Sequence, residues 1–396
     1  MSRIPEDSDP RRWRMLGLLT LAQFLGMSPW LLLGSVSGQL KAEWALGSGD
    51  LAWLSATVQL GFVCGTLTAA VLNLADLFPA RLYFSGCALL VAAGNALPVL
   101  RPGYAPALLS RFLIGFFLAG VYPPAMKMVA TWFRRGRGLA IGVLLGGLIA
   151  GKATPYLVHS LGQVPWQRMI LMASAASVLA AAIVALGYRD GPLSVPPRRF
   201  SWSLVPAILG HRRTRLAIAG YLGHMWELYA MWGWLPVFLA ASTIGMLGPH
   251  AADAFAFSAI GIGALGSIWG GWLADRRGRP FVVNLSMAVS GTCALVVGCF
   301  QSESPWILAP LVLVWGFFVV SDSAQFSAMV TESAPPDAVG TALTLQTSMG
   351  FLLSMATIQA VPRILDARGW AWAFALLAIG PYLGIAAIRR LEKGTP

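Results

Sequence analysis

Read for the alternation of apolar and polar stretches, the chain is a succession of long apolar segments separated by short polar ones. Windowed hydropathy places segments at 13–38, 50–74, 81–100, 104–130, 138–160, 167–188, 213–242, 252–274, 281–301, 305–331, 338–364 and 369–390. Each is long enough to cross a bilayer as a helix, which takes about 20 apolar residues, with some tilt. The reading is an all-α membrane protein of twelve transmembrane helices, numbered here as spans one to twelve. The first segment is too long for a signal peptide and is followed by no small-residue cleavage site, so it reads as a retained span. Composition agrees: 57% of the 396 residues are apolar, 11% are charged, and mean hydropathy is +0.69. A soluble chain carries about 25% charged residues, so a soluble enzyme, a secreted scaffold and a disordered protein are excluded.

Charge refines the topology. The net charge of +12 would suggest nucleic acid in a soluble chain, but its distribution points elsewhere. Counting Lys and Arg, the termini and the loops after even-numbered spans hold 20, the opposite loops five, and the spans three. That bias puts both termini in the cytoplasm, makes the lipid bilayer the partner and leaves no role for nucleic acid. The polar interval 189–212, with Pro192, Pro196 and Pro197, divides the chain nearly equally. The expected organisation is therefore a six-helix bundle over 1–188, a cytoplasmic linker over 189–212 and a second six-helix bundle over 213–396. Cys64, Cys87, Cys293 and Cys299 lie in apolar runs without metal-type spacing, so neither a disulfide framework nor a metal site is expected.

The halves repeat. Leu74-Ala75-Asp76 and Leu273-Ala274-Asp275 lie 199 residues apart, and the same offset relates Gly151 to Gly350. Parallel repeats of six spans with a midplane site between them are one transporter architecture. The segment Gly271-Trp272-Leu273-Ala274-Asp275-Arg276-Arg277-Gly278-Arg279 resembles the signature loop of the major facilitator superfamily (MFS). Arg111-x-x-x-Gly115 with Gly120 resembles that superfamily's fourth-helix motif. The resemblance implies an MFS fold and a secondary transporter. It assigns Asp275, Arg276 and Arg279 to gating and Arg111 to a buried scaffold. The first-half copy, Leu72 to Arg81, lacks the first and last glycines of the motif, although its Asp76 can still face a helix N-terminus.

Ionisable residues at membrane depth are costly and mark function. Arg111, Lys127 and Lys152 lie in first-half spans; Glu227 and Asp322 lie in second-half spans. Lys152, near the middle of span five beyond the ladder Gly142, Gly146, Gly147 and Gly151, is a candidate ligand for an anionic solute. Glu227 with His224 one turn earlier forms a candidate proton relay, with Asp322 as a further acceptor. Ionised carboxylates are costly in a low-dielectric setting, so one that can be neutralised by a proton suits such a site. Tyr122, Trp226, Tyr229 and Gln346 are candidate substrate contacts, and Pro236 is a candidate break in span seven. There is no phosphate-binding glycine loop and no catalytic cluster, so neither an enzyme nor a cofactor is expected. The expectation is a monomeric, proton-coupled symporter of a small anion in a bacterial-type cytoplasmic membrane, working by alternating access. The same-fold alternative is proton-coupled efflux of drugs or siderophore-like amphiphiles.

Overall fold

The computed structural model describes residues 9–162, 164–193, 200–248 and 250–393, with side chains throughout except at Ala75 and Asp76. The described residues are helical and contain no strand. Ten helical units among them are long and apolar enough to cross a membrane, Ser48–Val71 being the first and Trp370–Glu392 the last. Spans one and seven are not among the ten. Span one is divided into Arg11–Gly26, Leu32–Ser35 and Ser37–Trp44. Span seven is one 29-residue helix, Arg212–Ala240, which begins with an Arg-rich turn and includes His224 and Glu227. Of the linker predicted at 189–212, residues 194–199, including Pro196 and Pro197, lie outside the described residues.

The interruptions have local causes. Span one opens just before Pro29, whose ring nitrogen has no proton to continue a helix. Span four is Tyr104–Leu118 followed by Tyr122–Ala130, with Pro123 and Pro124 in the first turn of the second piece. Span ten divides at the equivalent point of the repeat, as Pro305–Phe318 and Ser323–Ser333. The expected break at Pro236 does not form. The helix runs on to Ala240, with Pro236 accommodated inside it.

The two signature loops end differently. In the second half the helix continues through Arg277 and stops at Gly278, whose φ of 84° suits glycine. In the first half the helix stops earlier than the motif suggests, at Val71. Asn73 takes the left-handed conformation and a separate turn, Leu74–Leu77, follows.

Spans five and eight run antiparallel against each other over their whole length and join the two chain halves. Gly138 meets Asp275, Gly142 meets the Ser267 carbonyl and Ile268, Gly146 meets the Ala264 carbonyl, and Ile149 meets Gly263. At the far end His159 Nδ1 lies 2.7 Å from an Asp253 carboxylate oxygen. The glycines are what allow this approach, since a Cβ at Gly142 would be within 2.8 Å of a carbonyl oxygen. Gly147 and Gly151, on another face of span five, do the same for span one, against the backbone at Thr20 and Phe24.

Candidate functional site

Lys152 is 98% withdrawn from solvent at the meeting of the two halves, and its surroundings are aromatic. The ammonium donates to the Tyr229 hydroxyl at 2.9 Å. It also lies 3.8 Å from the centroid of Trp30, 4.9 Å from that of Tyr229 and 5.2 Å from that of Trp232. Among the described residues no carboxylate stands within ion-pair distance of it. A desolvated cation–π contact is worth about 2 kcal/mol, whereas withdrawing an ammonium from water costs several. The rings therefore offset part of that cost, and a negative charge would offset more.

The cage belongs to a larger aromatic cluster. Trp30 and Phe62, from the first half, face Tyr229 and Phe351, from the second. Centroid separations run from 4.5 Å for Phe62–Phe351 to 5.8 Å for Trp30–Phe351. A cavity adjoins the cluster, lined in part by Trp30, Leu54, Gln59, Arg111, Tyr156 and Tyr229. It contains about 400 Å³ of free space counting its open mouth, but only about 20 Å³ available to the centre of a water molecule. That is room for a water or so, so the site is nearly closed in this conformation.

Arg111 reaches this wall from span four and pairs with backbone. Its guanidinium donates to the carbonyls of Pro29 (2.7 Å), Leu54 (3.3 Å) and Trp30. These include the carbonyls freed by the break in span one, so Arg111 holds the turn that presents Trp30 to Lys152. Trp30 was absent from the sequence-based candidates; the Ser28-Pro29 pair before it is the signal that marks the turn.

The two carboxylates of the second half occupy separate hydrogen-bonded settings. Glu227 accepts from Ser290 Oγ at 2.8 Å and from Trp315 Nε1 at 2.6 Å. His224 does not pair with Glu227, one turn away, but with Asp322 and Ser323 at the break in span ten. Its Nδ1 is 3.0 Å from Asp322 Oδ1, an ion-pair distance off the line of a hydrogen bond, and its Nε2 is 3.0 Å from Ser323 Oγ. Glu227, His224 and Asp322 are all buried.

The remaining candidates scatter. Trp226 turns to span twelve and donates to the Leu376 carbonyl at 3.0 Å. Tyr122 is half-buried at the start of the second piece of span four. Gln346 is fully buried in span eleven, with neither amide atom hydrogen-bonded among the described residues. In the signature loop, Asp275 reaches the first half, at the N-terminal turn of span five. Arg279 stays within the second half, bound to Glu332 at 2.7 Å and Gln325 at 3.2 Å, and Arg276 stacks on Trp272. Asp76 lies outside the residues whose side chains are described.

A helical membrane protein with a charged residue in a nearly closed site between its halves is matched by one family model, that of the Major Facilitator Superfamily, over residues 19–358. The chain belongs to the Major Facilitator Superfamily. Proteins of this superfamily are carriers, not enzymes. Among curated relatives, a probable nitrate/nitrite antiporter, NarK1, of Thermus thermophilus is 32% identical over 38% of this chain and 34% of its own. The chain thus spans about a third of that relative's length. A gallate transporter of Pseudomonas putida is 25% identical over 74% of this chain and 72% of its own. A putative niacin/nicotinamide transporter, NiaP, of Bacillus subtilis is 22% identical over 79% and 80%. The fold resembles that of a bacterial homologue of the human lysosomal transporter Spinster, solved inward-facing and unoccupied. The TM-score is 0.71 at 15% identity, covering 98% of both chains. It also resembles the human organic anion transporter MFSD10, with a TM-score of 0.71 at 14% identity over 96% of this chain and all of that one.

Proposed function

We propose that this MFS carrier moves a small anionic solute by alternating access and couples the movement to protons. One observation carries the reading: Lys152 is buried between the two halves, held by rings and a hydroxyl, with no carboxylate in reach among the described residues. An anion is the ligand that such a cation lacks. The names of three relatives, a nitrate/nitrite antiporter, a gallate transporter and a niacin/nicotinamide transporter, favour the same solute class.

In the proposed cycle the anion binds at Lys152, with Tyr229 moving its hydroxyl aside or sharing it. The proton is carried in the second half, by Glu227 and by His224 with Asp322. Among the described residues neither carboxylate is tied to an arginine or lysine, so each can be neutralised without breaking an ion pair to such a cation. Twelve spans, with the unit division at 189–212 and both termini in the cytoplasm, complete the proposal, as do a monomeric state and a place in a bacterial-type cytoplasmic membrane. The asymmetry of Lys and Arg between the two sets of loops supports that orientation.

Uptake into proteoliposomes, with and without an inward proton gradient, tests the reading. The gradient is expected to accelerate anion accumulation in the native protein. In Glu227→Gln, exchange of anion for anion is expected to persist while the acceleration is lost. Uptake indifferent to the gradient, or a Glu227→Gln carrier that still responds to it, sinks proton coupling.

A further inference from the structure

Closure of this carrier is made by aromatic rings from opposite halves, and those rings must part when a solute enters. Trp30 and Phe62 come with the first half, Tyr229, Trp232 and Phe351 with the second, and each is at most 7% exposed. Trp30 and Tyr229 lie 5.7 Å apart with 29° between their planes, close to stacked. Separating them exposes flat apolar faces to water, which a small hydrated ion such as nitrate does little to cover. A planar ring inserted between them replaces each lost ring contact with another of the same kind.

The polar groups around the slot complete the description. The Lys152 ammonium lies against both rings, 3.8 Å from the Trp30 centroid and 4.9 Å from that of Tyr229. The indole nitrogen of Trp232 is buried and has no hydrogen-bond acceptor among the described residues. An orphaned buried donor is costly to keep, and here it is in the same ring that flanks the ammonium. One carboxylate can accept from both donors. Gln59 lines the adjoining cavity, and its buried amide oxygen has no partner among the described residues, which makes it an acceptor for a hydroxyl or N–H elsewhere on the same ligand.

Resting on the anion-carrier reading above, we propose that the solute is an aromatic monocarboxylate with a hydrogen-bond donor on its ring. Its ring lies between Trp30 and Tyr229, its carboxylate meets Lys152 and the Trp232 indole N–H, and its ring donor meets Gln59. Inorganic anions and aliphatic acids satisfy the charge but leave the ring faces unmatched.

Three probes separate these terms in proteoliposomes: 4-hydroxybenzoate, 4-hydroxycyclohexanecarboxylate and nitrate, each corrected against protein-free vesicles. The two organic acids share charge, length and hydroxyl and differ in the flat ring. Initial uptake of 4-hydroxybenzoate at low concentration is expected to exceed that of the saturated acid about tenfold, the ratio set by roughly one aromatic contact. The ratio is expected to collapse towards one in Trp30→Leu, and in Phe351→Leu should the first variant not fold. If the saturated acid or nitrate is carried as well as 4-hydroxybenzoate, the aromatic assignment is wrong while the anion reading stands. A ratio unchanged in both variants also overturns it. If none of the three anions is carried, both fail together.

Discussion

Arg111 illustrates how far a single buried side chain can be read from its neighbours. Its guanidinium donates to carbonyls at Pro29, Trp30 and Leu54 and so spends its donors on a backbone turn. Removing it leaves those acceptors buried without a charged donor, and hydrogen bonds to charged groups contribute about 1.5–3 kcal/mol each. Arg111→Met is expected to lower unfolding stability by roughly 3 kcal/mol and to weaken solute binding as well, because Trp30 loses its mount. A denaturation curve and a binding isotherm on the same preparation check both. Lys152, Glu227, His224 and Asp322 were legible from the sequence because charge inside an apolar run is conspicuous. Their pairing was not. Helical spacing suggested His224 with Glu227, but the partner that prevails for His224 is Asp322, brought alongside by the break in span ten. Trp30 was illegible for a related reason: an aromatic residue in an apolar stretch carries no mark until its turn is seen.

Among the helices, span five has the most exacting position, since one face meets span one and another meets span eight. Hydropathy located it well, as it did most spans, but gave no sign of the breaks inside spans one, four and ten. It also overestimated Pro236, which sits inside span seven without ending it. The contact of spans five and eight is fastened at one end by Asp275 against Gly138 and at the other by Asp253 with His159. The sequence resemblance pointed to the first fastening. Nothing in it pointed to the second, which depends on two loop-proximal residues 94 positions apart. His159 also lies 3.2 Å from Gln39 Nε2, so this corner ties span one to spans five and eight. Asp253→Asn is expected to raise the accessibility of the end opposite the termini while leaving the fold intact. A cysteine introduced at Ser160 and challenged with a membrane-impermeant thiol reagent measures this. Labelling no faster than in the otherwise native background would remove the fastening role.

Across the molecule, the two halves meet through small residues on one side and through rings on the other. The glycine contacts let the helices approach, and the rings close the site over Lys152. Because the glycine face is tight only when shut, a thiol placed there reports opening: Gly142→Cys reacts only when spans five and eight separate. A side chain at that position costs packing, roughly 1–3 kcal/mol for an overfilled interior, so the variant itself favours the open form.

The ring closure has a thermal consequence. Parting Trp30 and Phe62 from Tyr229 and Phe351 wets apolar surface, and wetting of that kind has a positive heat capacity and becomes easier as water cools. The balance between shut and open forms therefore bends with temperature, and chilling loosens the shut form. In detergent, a thiol placed at Ser55, on the wall of the cavity beside the rings, is expected to react in a larger fraction of molecules near ice temperature than at 25 °C, once the intrinsic slowing of the reagent is divided out.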